Sequence, residues 1–192
     1  FHVILVDDGS SDQSLDICRS VLGRMKVPVR LLELPHRGVA NARNCGLEQV
    51  DTPYVLFLDS DDWLDRNTIS NMIELANIHQ PELAVFGFYY ELTNGGQHLK
   101  RSHVQRNLLT RMLREHQITF HDLNFGEDLE FCKDIMRVCT RLVLSDRCFY
   151  HYTCHIRGSL STRYREDLFE IRREEHRRFE AYFRELGCLD SR

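Results

Sequence analysis

Three acidic residues follow directly on an apolar run near the middle of the chain. Residues 54–58, Tyr-Val-Leu-Phe-Leu, are too few for a helix and rich in β-forming side chains, which predicts a buried strand. Asp59 and Asp61 come at its carboxyl end, so an extended backbone points both side chains the same way. Neighbouring carboxylates repel each other unless a cation lies between them, and a divalent ion with positions left for phosphate oxygens meets that need. The alternative is a solvated turn in which Asp62 or Asp65 caps the next helix.

A second pair of acids ends an earlier strand. The apolar residues 3–6 lead directly into Asp7 and Asp8. A helix-capping turn would explain the serines and the aspartate at 10–12, but not Asp7, which adjoins the strand. If this strand and the one at 54–58 belong to one parallel sheet, their acids meet at the same edge, where open α/β sheets bind ligands.

A third pair, Glu127 and Asp128, lies in the first turn of a predicted helix that opens at Gly126. One acid there would suffice to complement the helix dipole, so the second is available to face a cleft. A metal held at Asp59 and Asp61 would neutralise charge on a departing diphosphate. An acid of the third pair would then take a proton from an attacking hydroxyl. The three pairs together suit group transfer from a nucleotide-diphosphate donor.

The elements that must position these acids alternate between strand and helix over the first 90 residues. Such alternation predicts parallel strands joined by crossovers, that is, an α/β sheet flanked by helices. The predicted strands are 3–6, 28–34, 54–58, 83–90, 142–144 and 148–150, with a turn at 145–146. The predicted helices are 15–22, 39–50, 67–78, 104–116, one that opens at 126, and 164–186.

The bulk composition is ordinary for a soluble globular protein. With 192 residues, 42% of them hydrophobic, the chain is long enough for one domain, or for one domain with an appendage. A net charge of −4 gives no support to nucleic-acid binding. Seven scattered cysteines without Cys-x-x-Cys spacing favour reduced thiols and a cytoplasmic location. The charged final helix is typical of a solvated face, and a peripheral contact with anionic lipid is the alternative.

Four segments, in this order and spacing, resemble the motifs of the inverting family 2 glycosyltransferases with the GT-A fold. They are 6–12 (Val-Asp-Asp-Gly-Ser-Ser-Asp), 38–47 (Gly-Val-Ala-Asn-Ala-Arg-Asn-Cys-Gly-Leu), 57–63 (Phe-Leu-Asp-Ser-Asp-Asp-Trp) and 126–131 (Gly-Glu-Asp-Leu-Glu-Phe). The resemblance implies a GT-A-like, mostly parallel sheet flanked by helices over residues 1–162. Residues 163–192 would form a C-terminal helical appendage.

The resemblance also implies roles for individual side chains. Asp128 would deprotonate the acceptor hydroxyl, and Asp61 would hold a Mn or Mg ion. Asp7 would contact the donor's base, and Asp59 its ribose or diphosphate. The full expected donor-binding set is Asp7, Asp8, Arg43, Asp59, His155 and Arg157. Two points stay open. Arg43 is either an ordinary ion-pair partner or a phosphate-side residue. The loop at 155–161 resembles the family's segment that closes over the diphosphate, and its phosphate contact is either His155 or Arg157.

The sequence departs from the family pattern at its front, where members have one more strand and helix before the first acid motif. Removing a central strand leaves unpaired ladder groups on its two neighbours, which is costly. Two hypotheses answer this: the sequence is a fragment of a longer chain, or Val3–Val6 pairs directly with Tyr54–Leu58. The stretch between 90 and 125 is also short for an acceptor-binding insertion, which indicates a small or truncated acceptor site.

Three functions follow from these observations. The first is a metal-dependent, inverting glycosyltransferase of polysaccharide or glycoconjugate synthesis, with a UDP-sugar as the first donor to test and a carbohydrate or lipid-linked acceptor. The second is a non-catalytic, truncated module with the same fold. The third, a nucleotidyltransferase or metal phosphotransferase, also uses acids at strand ends and is disfavoured because no Gly-rich phosphate loop with a lysine occurs. A homodimer is left open.

Overall fold

The computed structural model describes residues 1–92, 97–123, 126–154 and 166–188. Side chains are described in these ranges except at 92–110 and 154. The strands are β1 (Val3–Asp7), β2 (Val29–Glu33), β3 (Tyr54–Leu56), β4 (Trp63–Leu64), β5 (Leu83–Leu92), β6 (Gln97–Leu109) and β7 (Leu142–Cys154). The helices are α1 (Ser14–Leu22), α2 (Val39–Glu48), α3 (Thr68–His79), α4 (Thr110–Glu115), α5 (Glu127–Val138) and α6 (Leu168–Glu185).

The strands form two sheets with helices around them, so the α/β class is confirmed. β1 and β2 make a two-stranded parallel sheet, and the other five strands are ordered β3-β6-β5-β7-β4. In the larger sheet only β5 and β7 pair in parallel; the pairs β3–β6, β5–β6 and β4–β7 are antiparallel. The sheet is therefore mixed rather than mostly parallel, because β6 returns alongside β5 instead of crossing over.

β1 and β3 do not pair in the part of the chain that the structure describes. β1 takes β2 as its partner, and β3 takes the end of β6, with Tyr54 opposite Leu109. The hypothesis that Val3–Val6 pairs directly with Tyr54–Leu58 is therefore wrong. The two strands are instead joined through the core that they share, since Ile4 and Val55 both pack against the same buried cluster.

Two further expectations are corrected in the second half of the chain. Residues 104–116 were expected to be one helix, but β6 runs to Leu109 and only the short α4 follows. Leu108 and Leu109 therefore belong to a strand end, and Met112 and Leu113 to a helix start, and the four together imitate a helical period. The expected turn at 145–146 is part of the continuous strand β7, and the register against β5 shifts around Gly87.

Two buried clusters hold the layers together. The first lies between α2, β5, α4 and α5 and centres on Leu113, Phe131 and Ile135, each about 1% exposed. The second is aromatic and is formed by Phe86, Phe88, Phe149 and Tyr150 of the larger sheet. The first cluster thus joins α2, α4 and α5 to β5, and the second joins β5 to β7.

The last helix packs on α5. The Arg137 guanidinium donates to the Glu185 carboxylate at 2.9 Å, and the Lys133 ammonium lies 5.5 Å from the centre of the Phe179 ring. Tyr182 of α6 is buried. The division at residue 162 stays a prediction.

No helix among the described residues is both long and apolar enough to span a bilayer.

Candidate functional site

The acid turn, residues 59–62, is held in place by strand β7. The Asp62 amide donates to the Asp59 carbonyl at 3.1 Å, which closes the turn. The Asp62 carboxylate accepts hydrogen bonds from the Tyr150 hydroxyl and from the Thr153 amide, the latter at 2.8 Å. The Thr153 hydroxyl donates to the Asp61 carbonyl, and the Asp59 amide donates to the Tyr150 oxygen at 3.4 Å. Asp62, the third acid of the motif, therefore anchors the turn to β7 through hydrogen bonds.

The proposed cap interpretation of this turn is wrong. α3 begins after Asn67 without any side-chain cap, and Asp62 is occupied by β7. The Asp65 carboxylate lies 3.2 Å from a ring nitrogen of His151 and does not reach the helix amides; only its backbone carbonyl accepts from the Thr68 amide.

Burial perturbs both members of the Tyr150–Asp62 contact. Tyr150 is 2% exposed, and burial, followed by its hydrogen bond to Asp62, raises the pKa of its hydroxyl. Burial also raises the pKa of Asp62, although the hydrogen bonds from Tyr150 and Thr153 oppose that rise. Both groups therefore favour their protonated forms more than they do in water.

Arg43 of α2 connects the acid turn to the first turn of α5. One guanidinium nitrogen donates to the Asp59 carboxylate at 2.7 Å and the other to the Glu127 carboxylate at 2.9 Å. The Arg43 side chain is 18% exposed, and its guanidinium carbon lies 5.2 Å from the centre of the Phe120 ring. Burial works against the charge of Arg43, but Asp59, Glu127 and Asp128 together raise its pKa above the ordinary value. The guanidinium is therefore a fixed cation between two acid pairs.

An aromatic cluster lies beneath this cation. The Phe57 ring contacts Phe120 edge-on with centroids 5.1 Å apart, and Phe120 stacks on Phe131 of α5 at 3.9 Å. The Asn44 side-chain amide completes the support, because it donates to the Phe120 carbonyl and accepts from the Phe120 amide, each at 2.8 Å. Phe57, two residues before the acid turn, and the helix that carries Asp128 are therefore packed against the same ring.

Asp8 fastens the start of α2. Its two carboxylate oxygens accept the backbone amides of Arg37 and Gly38, each at 2.9 Å, and His36 lies 2.8 Å from one of them. A donor-binding role was expected for Asp8; its carboxylate accepts these two amides, and the donor-binding role stays a prediction. Its observed contacts orient the helix that carries Arg43.

Asp7 is buried at the end of β1 and accepts the Ser10 amide at 3.1 Å. Hydrogen bonding by Ser10 lowers the pKa of its carboxyl group. α2 passes close to the same strand, because a β-carbon on Gly46 would lie 3.1 Å from the Val6 side chain. A single helix thus contacts the end of β1, the acid turn and α5.

The predicted catalytic and metal residues both lie at this site. Asp61 and Asp128 are exposed, Asp61 in the acid turn and Asp128 in the first turn of α5. Within the described ranges no group of three or more metal-ligating side chains is preassembled. His155 and Arg157 lie outside the described residues, so their expected donor contacts stay predictions.

Sequence reasoning missed Tyr150 and Thr153, and it missed that Glu127 pairs with Arg43. Tyr150 and Thr153 come from a strand about 90 positions after the acid turn, and Glu127 meets Arg43 across 84 positions. No local pattern marks such pairs. Asn44 was visible as part of the motif at 38–47, but its partner Phe120 was not.

Similar known proteins place the chain in a family. The sequence profile of glycosyl transferase family 2 matches residues 1–136. The chain belongs to this family. Among the curated family 2 relatives, the poly(ribitol-phosphate) β-N-acetylglucosaminyltransferase TarS of Staphylococcus aureus is 26% identical over 194 residues, which cover 90% of this chain and 34% of TarS. The teichoic acid poly(glycerol phosphate) polymerase of Staphylococcus epidermidis is 28% identical over 181 residues, covering 83% and 24% of the two chains.

Solved structures of the family share the fold. The crystal structure of S. aureus TarS 1-349 in complex with UDP-GlcNAc superposes with a TM-score of 0.74 at 24% identity, over 89% of this chain and 55% of that one. The mannosyltransferase PcManGT from Pyrobaculum calidifontis, in complex with GDP-Man and Mn2+, superposes with a TM-score of 0.62 at 18% identity, over 82% and 49%. The expected GT-A-like fold is confirmed. The chain spans about a third of TarS and about a quarter of the polymerase.

Proposed function

We propose that this family 2 chain transfers a sugar from a nucleotide-diphosphate donor to an acceptor hydroxyl, with inversion and with help from Mn or Mg. The observation that carries the proposal is the Arg43 bridge, which joins the acid turn to the helix of Asp128 through contacts of 2.7 and 2.9 Å. Acids from distant parts of the sequence therefore converge on one region, and two of them, Asp61 and Asp128, remain exposed there.

The carboxylates at the turn fit one metal ion. Asp62 is occupied by Tyr150 and Thr153, and Asp59 is paired with Arg43, so Asp61 has the exposed carboxylate. Mg and similar hard ions are commonly held by one or two carboxylates together with substrate phosphates, rather than by a cage of protein ligands. Asp61 would hold the ion, which supplies charge neutralisation to the diphosphate as that group leaves.

The chain's own residues would supply binding and proton transfer. Asp7 would bind the base of the donor and Asp59 its ribose or diphosphate. Asp128 would take the proton of the acceptor hydroxyl as the new bond to the anomeric carbon forms. The bond from that carbon to the diphosphate oxygen breaks in the same displacement, and its electron pair leaves with the diphosphate. A positioned base of this kind contributes roughly 10²–10⁴-fold to rate.

The relatives supply the first substrates to test. TarS is named for transfer of N-acetylglucosamine to poly(ribitol-phosphate), and its crystal structure holds UDP-GlcNAc. We propose a UDP-sugar donor and an acceptor of the polyol-phosphate or polysaccharide class for this chain.

Calorimetry with UDP, with and without Mn, followed by a transfer assay tests the proposal. Asp61→Asn should weaken the Mn-dependent part of UDP binding. Asp128→Asn should keep that binding and lose about 10²–10⁴-fold in transfer. Asp16→Asn, at an exposed position on α1, is the matched control and should change neither. An absence of Mn-linked UDP binding in the unaltered chain would contradict the proposal and favour the non-catalytic module.

A further inference from the structure

A row of three rings crosses the edge of the larger sheet. Trp63 of β4 and Tyr89 of β5 both lie opposite His151 of β7 in the strand register. The Trp63 and His151 rings are stacked, with centroids 3.3 Å apart and planes within 11°, and the Tyr89 ring lies 4.9 Å from His151 on the other side. We call these three side chains the ring row.

The ring row lies on one face of β7, and the Tyr150 side chain, which contacts the acid turn, lies on the opposite face. Successive side chains of a strand point to opposite faces, so His151 points away from the face of its neighbour Tyr150. Tyr150 is the residue that binds Asp62. The ring row is therefore separate from the contacts already described, although Trp63 follows Asp62 directly in the chain.

His151 fixes the orientation of the row. It is 7% exposed, and its ring nitrogens lie 2.7 Å from a Glu91 carboxylate oxygen and 3.2 Å from an Asp65 carboxylate oxygen. A ring held at both nitrogens cannot turn freely, so Trp63 stacks on a fixed surface. Trp63 nevertheless remains 47% exposed. It is thus a preorganised aromatic platform that faces outward.

The platform borders an open cleft of about 880 Å³, which is within the usual range for small-molecule sites. Besides Trp63 and Tyr89, its polar lining includes Arg66, Asn67, Asn71 and Arg147. The Arg147 guanidinium donates to the Asn71 side-chain oxygen, which directs it across the cleft wall.

The lining has the chemistry of a site for a phosphate-bearing glycan. Guanidinium groups match the geometry of phosphate oxygens, and aromatic faces and amides suit the apolar and hydroxyl sides of a sugar or polyol. Two arginines and one aspartate, Asp65, line the cleft, and the Asp65 carboxylate already lies beside His151. The lining is therefore more basic than the whole protein, whose net charge is −4. The local charge therefore favours an anionic ligand over a neutral one.

We propose that this cleft is a subsite for a phosphate-bearing sugar or polyol chain, with the ligand stacked on Trp63 and its phosphate bound by Arg66 and Arg147. The inference rests on the proposed function and deepens it, because the cleft would hold a part of the acceptor polymer away from the reacting hydroxyl. A remote subsite of this kind raises affinity for long acceptors.

Tryptophan fluorescence offers a direct test, since Trp63 is the only tryptophan in the sequence. Titration with a short glycerol-phosphate oligomer should change the fluorescence in a saturable manner that weakens with salt. A neutral oligosaccharide of the same length should bind at least about tenfold more weakly. Arg147→Gln and Arg66→Gln should each weaken oligomer binding about tenfold, whereas Arg24→Gln, an exposed arginine elsewhere, should not.

The outcomes separate this inference from the proposed function. Mn-linked UDP binding should survive in Arg147→Gln, because Arg147 lies outside the donor site. Two results would overturn the subsite while UDP binding leaves the proposed function standing. One is an equal response to the oligomer and to the neutral glycan. The other is oligomer binding by the arginine variants that equals binding by the unaltered chain. Binding of an acidic peptide with no response to the oligomer would mark a protein-binding surface and overturn the proposal. If the oligomer binds as expected while UDP does not, the proposed function fails alone.

Discussion

Replacing Arg43 by methionine should destabilise the protein and loosen the acid turn, because it removes the one cation shared by Asp59 and Glu127. Methionine keeps an apolar stem against Phe120 but donates no hydrogen bond. The Glu127 side chain is 15% exposed and would be left as a nearly buried, unpaired carboxylate.

The magnitude follows from the exposure of the two partners. Removing one member of a fully buried ion pair costs about 3–5 kcal/mol, and the residual exposure of Glu127 reduces this to about 2–3 kcal/mol. Asp59 is 47% exposed and regains water, so its lost pair adds only about 0–1 kcal/mol. The total is about 3 kcal/mol, which for a domain of this size lowers Tm by roughly 6–12 °C.

Thermal unfolding of four chains decides the matter: unaltered, Arg43→Met, Glu127→Gln and the double variant. The double variant should lose clearly less stability than the sum of the single variants, because each single change already breaks the pair. Arg111→Met is the matched control, since the Arg111 side chain is 79% exposed and pairs with Glu115 one helical turn away. A drop in Arg43→Met no larger than in this control, or strict additivity in the double variant, would refute the bridge.

Three further predictions concern the support of the site and the fold. Tyr150→Phe removes the phenolic donor from the Asp62 carboxylate and should lower the unfolding free energy in urea by about 1–3 kcal/mol; no change would show that this contact does not hold the turn. Gly9→Ala should lower the unfolding free energy by about 1–3 kcal/mol in the same assay, because the φ of +72° and the close backbone of His36 exclude a β-carbon. Gly23→Ala is the control, since Gly23 has open space around it and the change should leave the unfolding free energy unchanged or raise it. Equal effects of the two changes would contradict the prediction. Hydrogen bonds from Thr140 hold the pKa of Glu82 below its ordinary 4.5, so the Glu82 carboxylate stabilises the protein above pH 4.5 and this stabilisation is lost as pH falls through the lower native pKa. Glu82→Gln should therefore flatten the acid part of a plot of Tm against pH. An unchanged acid slope in the variant would contradict this prediction.

Local sequence patterns predicted the first half of the fold well. α2 was expected at 39–50 and spans Val39–Glu48, and the strand before the acid turn was expected at 54–58 and spans Tyr54–Leu56. These elements are specified by short-range periodicity and by glycine and proline breaks, which a single sequence displays.

Elements that depend on distant partners were not predictable in this way. β6 lies between β3 and β5, and its pairing with both cannot be seen in the composition of residues 97–109. The two-residue β4 is likewise a strand only because β7 pairs with it. The direct pairing of β1 with β3, one of two hypotheses for the missing first strand, was wrong for the same reason, since alternation of elements does not reveal which strands are neighbours.

The candidate site shows the same division. Sequence reasoning singled out Asp59, Asp61 and Asp128 as candidates, because acids after an apolar run or at a helix start are locally visible; their roles stay predictions. It left Arg43 between two interpretations, and only the fold shows that one guanidinium meets two acid pairs. It gave a helix cap at Asp62 or Asp65 only as the alternative interpretation of the turn, and the contact of Asp62 with Tyr150 on a distant strand replaces that alternative.

The most direct measurement is the thermal shift of this chain on addition of UDP-sugars in the presence of Mn, compared with the Asp61→Asn variant. A ligand at 100 times its Kd stabilises the native state by about 2.7 kcal/mol, which corresponds to a rise in Tm of roughly 5–11 °C. We expect such a rise with at least one UDP-sugar, dependent on Mn and lost in Asp61→Asn. An equal rise without Mn or in the variant, or no rise with any nucleotide-sugar, would contradict a metal-assisted donor site at the acid turn.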